Sequence, residues 1–168
     1  SKFVAGREID FGPHENVLNI RLFGIYGENE DFSRRFISNN ICRVLSELPI
    51  SYNRDMAFDF IYVDDFFNVI LQLIGQEKFR FRTYNCCSGN PILLSEIAEI
   101  IKDQMNVKQE IRIGNEGLNR EYSGSVARLE NEIGIISWTD HRTAISQMIE
   151  YFTAKFLLTD TYRIEHEK

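Results

Sequence analysis

No G-x-G-x-x-G or G-x-x-G-x-x-G occurs in these 168 residues, so the chain lacks the Gly-rich turn that cradles a dinucleotide pyrophosphate after the first strand of an α/β fold. No run approaches the roughly 18 apolar residues of a membrane span, and the N-terminus has no signal-peptide pattern; the expectation is a cytoplasmic chain with no membrane partner. Surplus positive charge is missing as well. A formal net charge of -6 argues against a nucleic-acid partner and leaves any anionic ligand to local Arg residues or backbone N–H groups. Cysteine is scarce: Cys42, Cys86 and Cys87 are odd in number with two adjacent, which gives neither a disulfide framework nor zinc-ligand spacing and leaves them as buried thiols. His14, His141 and His166 are scattered without paired spacing, so no metal site is expected. Repeats, low-complexity stretches and linkers are also lacking, and residues 1–168 read as one segment.

What is present is an ordinary globular composition, 43% hydrophobic and 26% charged, with elements in alternating order. Ser1 to Ile9 reads as a helix broken by Gly12-Pro13, and Val17 to Phe23 as a strand closed by Gly24 and Gly27. Asp31 is a candidate cap for a helix with the stripe Ile37, Ile41, Val44, Leu48, which Pro49 ends. A short strand at Ile50-Ser51-Tyr52, a polar turn at Asn53-Arg54-Asp55 and the strand from Ala57 suggest a hairpin, because the turn is too short for a crossover.

The run Phe58-Asp59-Phe60-Ile61-Tyr62-Val63-Asp64-Asp65 reads as a buried strand emptying directly into a helix. Asp64 or Asp65 would cap that helix, with Phe67, Ile70, Leu71 and Ile74 on its core face. Within the run, Asp59 would satisfy nearby backbone N–H groups, and Tyr62, like Tyr84, would be a core residue with a bonded hydroxyl. Thr83 to Cys87 is a further strand. Ser88-Gly89-Asn90-Pro91 is a turn, with N–H groups for a phosphate as the alternative, before a helix with Leu94, Ile97, Ala98 and Ile101 on one face. Ile111 to Ile113 is a short strand, Gly114 to Gly124 irregular, and Ser125 to Ile133 a helix stopped by Gly134. Thr139 would cap a last helix with core face Ile145, Met148, Ile149, Phe152 and Phe156, and the charged tail after Thr159 would fray. Strands alternating with helices indicate an α/β fold.

Taken in order, Ser1-Lys2-Phe3-Val4-Ala5, Asn19 to Gly27, Asp59 to Asp65 and Tyr84 to Pro91 resemble the second half of the extended short-chain dehydrogenase/reductases, the NAD-dependent nucleotide-sugar epimerases, 4,6-dehydratases and reductases. The resemblance covers nearly the whole chain. It implies the C-terminal part of a Rossmann-like fold with its nucleotide-sugar-binding lobe, the first half of the sheet being absent. It further implies NAD or NADP in a full-length parent, with none bound by this segment, and a nucleotide-sugar as the parent's substrate. The family's catalytic signature is a Tyr followed four residues later by a Lys, which would be Lys2, with the Tyr before the first residue. A nearby ammonium lowers a phenol's pKa, which suits such a Tyr to act as base; read by itself, a Lys at a chain start is a solvated charge.

Two positions depart from the family pattern. Many members have Asn at the position of Gly24, near nicotinamide and sugar, and commonly an Arg for the diphosphate at the position of Phe58. A diphosphate would then need another cation, because a guanidinium is the usual way to hold one. Arg120 and the pair Arg34 and Arg35 are the candidates, each against the plainer role of a solvated charge, while Arg21 would anchor its strand. Lys2 and Gly24 are the positions the resemblance places at the cofactor, and Lys2 is its one catalytic residue here. Strands lacking their neighbours leave an open edge and uncovered apolar surface, so the segment is expected to self-associate or rearrange; without the Gly-rich cofactor loop and the catalytic Tyr it is expected to be inactive alone. The alternative is a non-catalytic sugar-nucleotide-binding or oligomerisation domain.

Overall fold

The computed structural model describes residues 2–13, 16–158 and 164. Ser1, His14, His166 and, apart from Ile164, the tail after Thr159 lie outside the described residues. Helix α1 (Lys2–Phe11) leads to strands β1 (Asn19–Leu22) and β2 (Gly24–Tyr26), followed by α2 (Phe36–Leu45), β3 (Ser51–Tyr52), β4 (Ala57–Phe58) and β5 (Phe60–Tyr62). Helix α3 (Val63–Ile74), β6 (Thr83–Cys86), β7 (Ile92–Leu93), α4 (Leu94–Gln104), β8 (Arg112–Ile113), α5 (Ala127–Ile133) and α6 (His141–Leu158) complete the order.

Three of the four ladders are parallel. β1 pairs with β6, β2 with β5 and β3 with β8, whereas β4 and β7 are antiparallel. β3 and β4 therefore form no hairpin. The turn at Asn53-Arg54-Asp55 does not reverse the chain, and residues 51–58 run on beside residues 112–122, with bridges Asp55 to Leu118 and Phe58 to Tyr122. Asp55 pins the turn, since its Oδ1 accepts the N–H groups of Met56 at 2.9 Å and Ser95 at 3.1 Å.

Period-two alternation along β2 and β5 sorts side chains onto two sides. Tyr26, Phe60 and Tyr62 join a cluster with the buried faces of α2, α4 and α6, including Ile37, Ile41, Ile97, Ile145 and Phe152. Ile61 joins Val69, Leu73, Tyr84, Cys86 and Leu129 on the other side, with Ile25 packed against them. The stripes expected on α2, α4 and α6 are thus the core. On α3 the expected face is the wrong one: Phe67, Leu71 and Ile74 are exposed, and Val69 and Leu73 are buried with Asp65. Apolar residues cover more than half the circumference of this helix, from Val69 and Leu73 round to Phe67 and Leu71, so periodicity alone did not choose the inner side.

Three expected caps are corrected. Asp31 does not cap α2; it closes the preceding turn, its Oδ1 accepting Ser33 N–H at 3.1 Å and its carbonyl accepting Arg34 and Arg35 N–H at 3.0 Å each. Neither acid of α3 caps, for Asp65 instead accepts Thr139 N–H at 2.9 Å and Thr139 O–H at 2.8 Å. Thr139 being so engaged, Asp140 takes the start of α6, accepting Thr143 N–H at 3.0 Å. Gly134 ends α5 with φ 89°, a backbone that only glycine adopts without strain. The three thiols are buried, and desolvation pushes Cys42 and Cys86 up to about 12 and Cys87 up to about 11. Arg21 pairs with Asp10 at 3.7 Å.

Candidate functional site

Gly24 does not close a strand but opens β2, paired with Phe60. A Cβ at Gly24 would stand 2.6 Å from Cε1 of Phe58 and 2.9 Å from the Asp59 carbonyl oxygen. The Phe58 ring therefore occupies the space that any side chain at 24 would need. The two departures from the family pattern are one feature, a missing side chain filled by a neighbouring ring.

Phe58 stacks on Phe60, centroids 4.6 Å apart and planes 24° apart, and leans on Tyr122 at 5.0 Å. Tyr122 meets Phe23 at 5.2 Å, and Phe60 meets Tyr26 edge to face at 5.9 Å. The rings are brought together by β2, β4 and β5 and by the parallel course of residues 112–122, where Tyr122 N–H donates to the Ala57 carbonyl at 2.9 Å. They wall a cavity of about 480 Å³. Its mouth carries Lys2, Arg34 and Arg35, with Glu30 as the acid. A second hollow of about 380 Å³ adjoins it, sharing Arg34, Arg35, Phe36, Met56 and Leu94 and adding Arg54, Asn53 and Asn119.

Polar groups inside the cavity are largely committed. The hydroxyl of Tyr26 and Nδ1 of His141 share a hydrogen bond of 2.9 Å, and burial raises the phenol's pKa strongly. Burial lowers that of His141. Burial likewise holds the Glu30 carboxyl above its usual range, although its Oε1 accepts Ser38 N–H at 3.2 Å. A phenol shifted in this direction is no general base near neutral pH. What the arrangement offers is recognition: a ring-lined recess with cations at its mouth.

Of the residues expected from sequence, Lys2, Gly24, Arg34 and Arg35 converge on this cavity, and Arg120 is exposed and outside it. Arg34 also lies 3.6 Å from Asp31. The alternative phosphate site at Ser88-Gly89 is already filled from within: Asp59 accepts Ser88 N–H at 2.7 Å, Ser88 O–H at 2.8 Å and Gly89 N–H at 3.0 Å. Asp59 thus plays the part expected of it, as do Tyr62 and Tyr84, whose hydroxyls donate to Glu28 at 3.1 Å and Glu132 at 2.8 Å. Sequence reasoning missed Phe23, Glu30 and Tyr122. Only Phe58, singled out as a departure, signalled an aromatic site. Among the described residues no cluster of His, Cys, Asp or Glu is arranged to hold a metal, and no helix is long and apolar enough to cross a membrane. Nor is any Gly-rich turn present to cradle a dinucleotide pyrophosphate, so the residues here do not by themselves fit that group.

Residues 14–87 match the NAD dependent epimerase/dehydratase family. No curated protein matches the sequence. Among solved structures, the fold is similar to UDP-glucuronic acid 4-epimerase from Bacillus cereus, solved with UDP-glucuronic acid and NAD, at a TM-score of 0.78 and 13% identity over 90% of this chain and 51% of that one. It is also similar to an NAD dependent NDP-hexosamine 5,6-dehydratase involved in tunicamycin biosynthesis, at 0.76 and 16% over 91% and 51%. A dTDP-glucose 4,6-dehydratase from Bacillus anthracis in complex with NAD gives 0.73 and 16% over 86% and 46%. The chain spans about half the length of these structures. The motifs' resemblance to nucleotide-sugar epimerases and dehydratases is matched over residues 14–87 by the family pattern, and the α/β fold is shared with the solved structures.

Proposed function

From a chain whose residues 14–87 carry the NAD dependent epimerase/dehydratase pattern, we propose that it supplies the substrate-binding lobe of an NAD(P)-dependent nucleotide-sugar epimerase, dehydratase or reductase. The observation that carries this reading is the convergence of Lys2, Gly24, Arg34 and Arg35 on one cavity. Nicotinamide, when bound in a complete enzyme, supplies hydride transfer at a sugar carbon. This chain's own residues orient the substrate: the guanidinium groups of Arg34 and Arg35 meet phosphate charge, and the Lys2 ammonium stands at the cavity to bias a phenol toward its ionised form. With no Gly-rich turn, the 168 residues alone hold NAD(H) weakly and do not turn over.

Calorimetric titration with NAD(H) and with UDP-, GDP-, CDP- and dTDP-sugars tests this. The expected result is binding of at least one nucleotide-sugar, weakened about tenfold by Arg35→Ala, and no tight binding of NAD(H). Tight cofactor binding would overturn the claim of inactivity, and the absence of any nucleotide-sugar binding would overturn the site.

A second reading, an oligomerisation module, is favoured by a separate observation. β1 has β6 on one edge only, and apolar residues lie exposed on α1 (Phe3, Val4, Phe11) and α3 (Phe67, Leu71, Ile74). A parallel ladder ordinarily has both faces covered, and an open edge recruits another strand. Sedimentation velocity is expected to give a dimer or larger species at tens of micromolar, shifting toward monomer in Leu71→Lys. A single monomeric boundary at high concentration would remove this reading.

A further inference from the structure

The cavity chosen above as the ligand site has one aromatic wall, opposite the charged residues Lys2, Glu30, Arg34 and Arg35 that complete its lining. Phe58, Phe60, Phe23 and Tyr122 supply π-faces within 4.6 to 5.2 Å of one another, and Phe58 excludes any side chain at position 24. The hydroxyl of Tyr26 is spent on His141 and a Glu30 oxygen on Ser38 N–H. A fully hydroxylated ring laid against this wall would leave the hydroxyls on that side without partners, each costing about tenfold in affinity. An apolar flat ring meets faces that suit it. Toward the adjoining hollow the charge changes: Arg34, Arg35 and Arg54 are cations beside the carboxamides of Asn53 and Asn119.

We propose that the site takes an anionic ligand whose inserted end is an apolar, flat ring in place of a fully hydroxylated sugar, and that Phe58 makes this choice by filling the space beside Gly24. The ligand lies across both hollows, ring against the aromatic wall and anion on the three arginines. This rests on the reading that the cavity is the ligand site, and it narrows the class of group that enters.

The test uses 1-naphthyl phosphate, glucose 1-phosphate and UDP-glucose on the full chain by calorimetry. 1-Naphthyl phosphate is expected to bind at least about tenfold more tightly than glucose 1-phosphate, since base–aromatic and ring–ring contacts are of that size. Phe58→Ala should erase most of that ratio and Phe58→Leu about half, while Arg35→Ala weakens both phosphates alike. Far-UV circular dichroism checks folding of each variant, and the ratio in the unmodified chain stands as a test even where a variant fails to fold. A ratio near one or reversed, or a ratio unchanged in a folded Phe58→Ala, overturns the inference. Binding of UDP-glucose together with such a result leaves the nucleotide-sugar reading in place; failure of all three phosphates to bind removes both.

Discussion

Replacing Asp59 by Ala is expected to cost about 3 kcal/mol, because a fully buried carboxylate that accepts from two N–H groups and a hydroxyl is lost, and water reaches those donors only in part, Ser88 being half-buried and Gly89 exposed. Asp59 is 0% exposed and sits in the one-residue gap between β4 and β5, and all three of its donors belong to the turn that leads from β6 toward α4. Its own N–H donates to the Tyr122 carbonyl at 3.0 Å. One residue therefore fastens the joint, the turn and the cavity wall together. Against a total stability of about 5–15 kcal/mol for a domain, a loss of this size leaves a substantial unfolded fraction at 37 °C. Urea unfolding followed by circular dichroism measures it, with Asp59→Asn, which keeps one acceptor oxygen, expected to lose about half as much. A loss under about 1 kcal/mol for Asp59→Ala would show that water takes over the three bonds of the carboxylate.

Phe152→Ala is expected to cost about 3–5 kcal/mol. Phe152 is 0% exposed where α6 packs on α2 and α4, and it meets Tyr151 edge to face at 5.1 Å. The cavity it would leave opens under α2, the helix whose first turn follows Arg34 and Arg35. Leu157, on the same helix and 80% exposed, is the control, and Leu157→Ala should change stability by no more than about 0.5 kcal/mol. Equal effects from the two substitutions in thermal unfolding would place the helical core elsewhere. Because α2 rests on this layer, Phe152→Ala should also weaken phosphate binding at the arginines, an effect readable in the same titrations.

Much of this molecule was legible in its sequence, and most of the failures share one cause. Element identity followed from local patterns: Ile37, Ile41 and Val44 on α2, Ile97 and Ala98 on α4, and Met148 and Phe152 on α6 are buried where helical spacing put them. Partners were not local. The hairpin expected of residues 50–58 failed because their neighbours are residues 112–122, a pairing that no short window contains. Asp31, Asp65 and Thr139 each looked like caps, yet Asp65 and Thr139 found each other across the fold, and Asp31 closed a turn. The face of α3 was misjudged because its composition offered two apolar sides. At the site, Lys2, Gly24, Arg34 and Arg35 could be singled out through the motifs that hold them. Tyr122 could not, since it stands in an irregular polar stretch and gains its meaning only beside Phe58.

The ladder between β1 and β6 has one more consequence, which concerns time. Asn19 and Thr83 are 64 positions apart, so the two strands meet only after α2, α3 and everything between them has been made. Closing a loop of that length costs entropy before any ladder contact repays it. Such a topology delays the pairing relative to the helices, whose contacts are local, and during that interval the edges of β1 and β6 that will meet stand open to other strands.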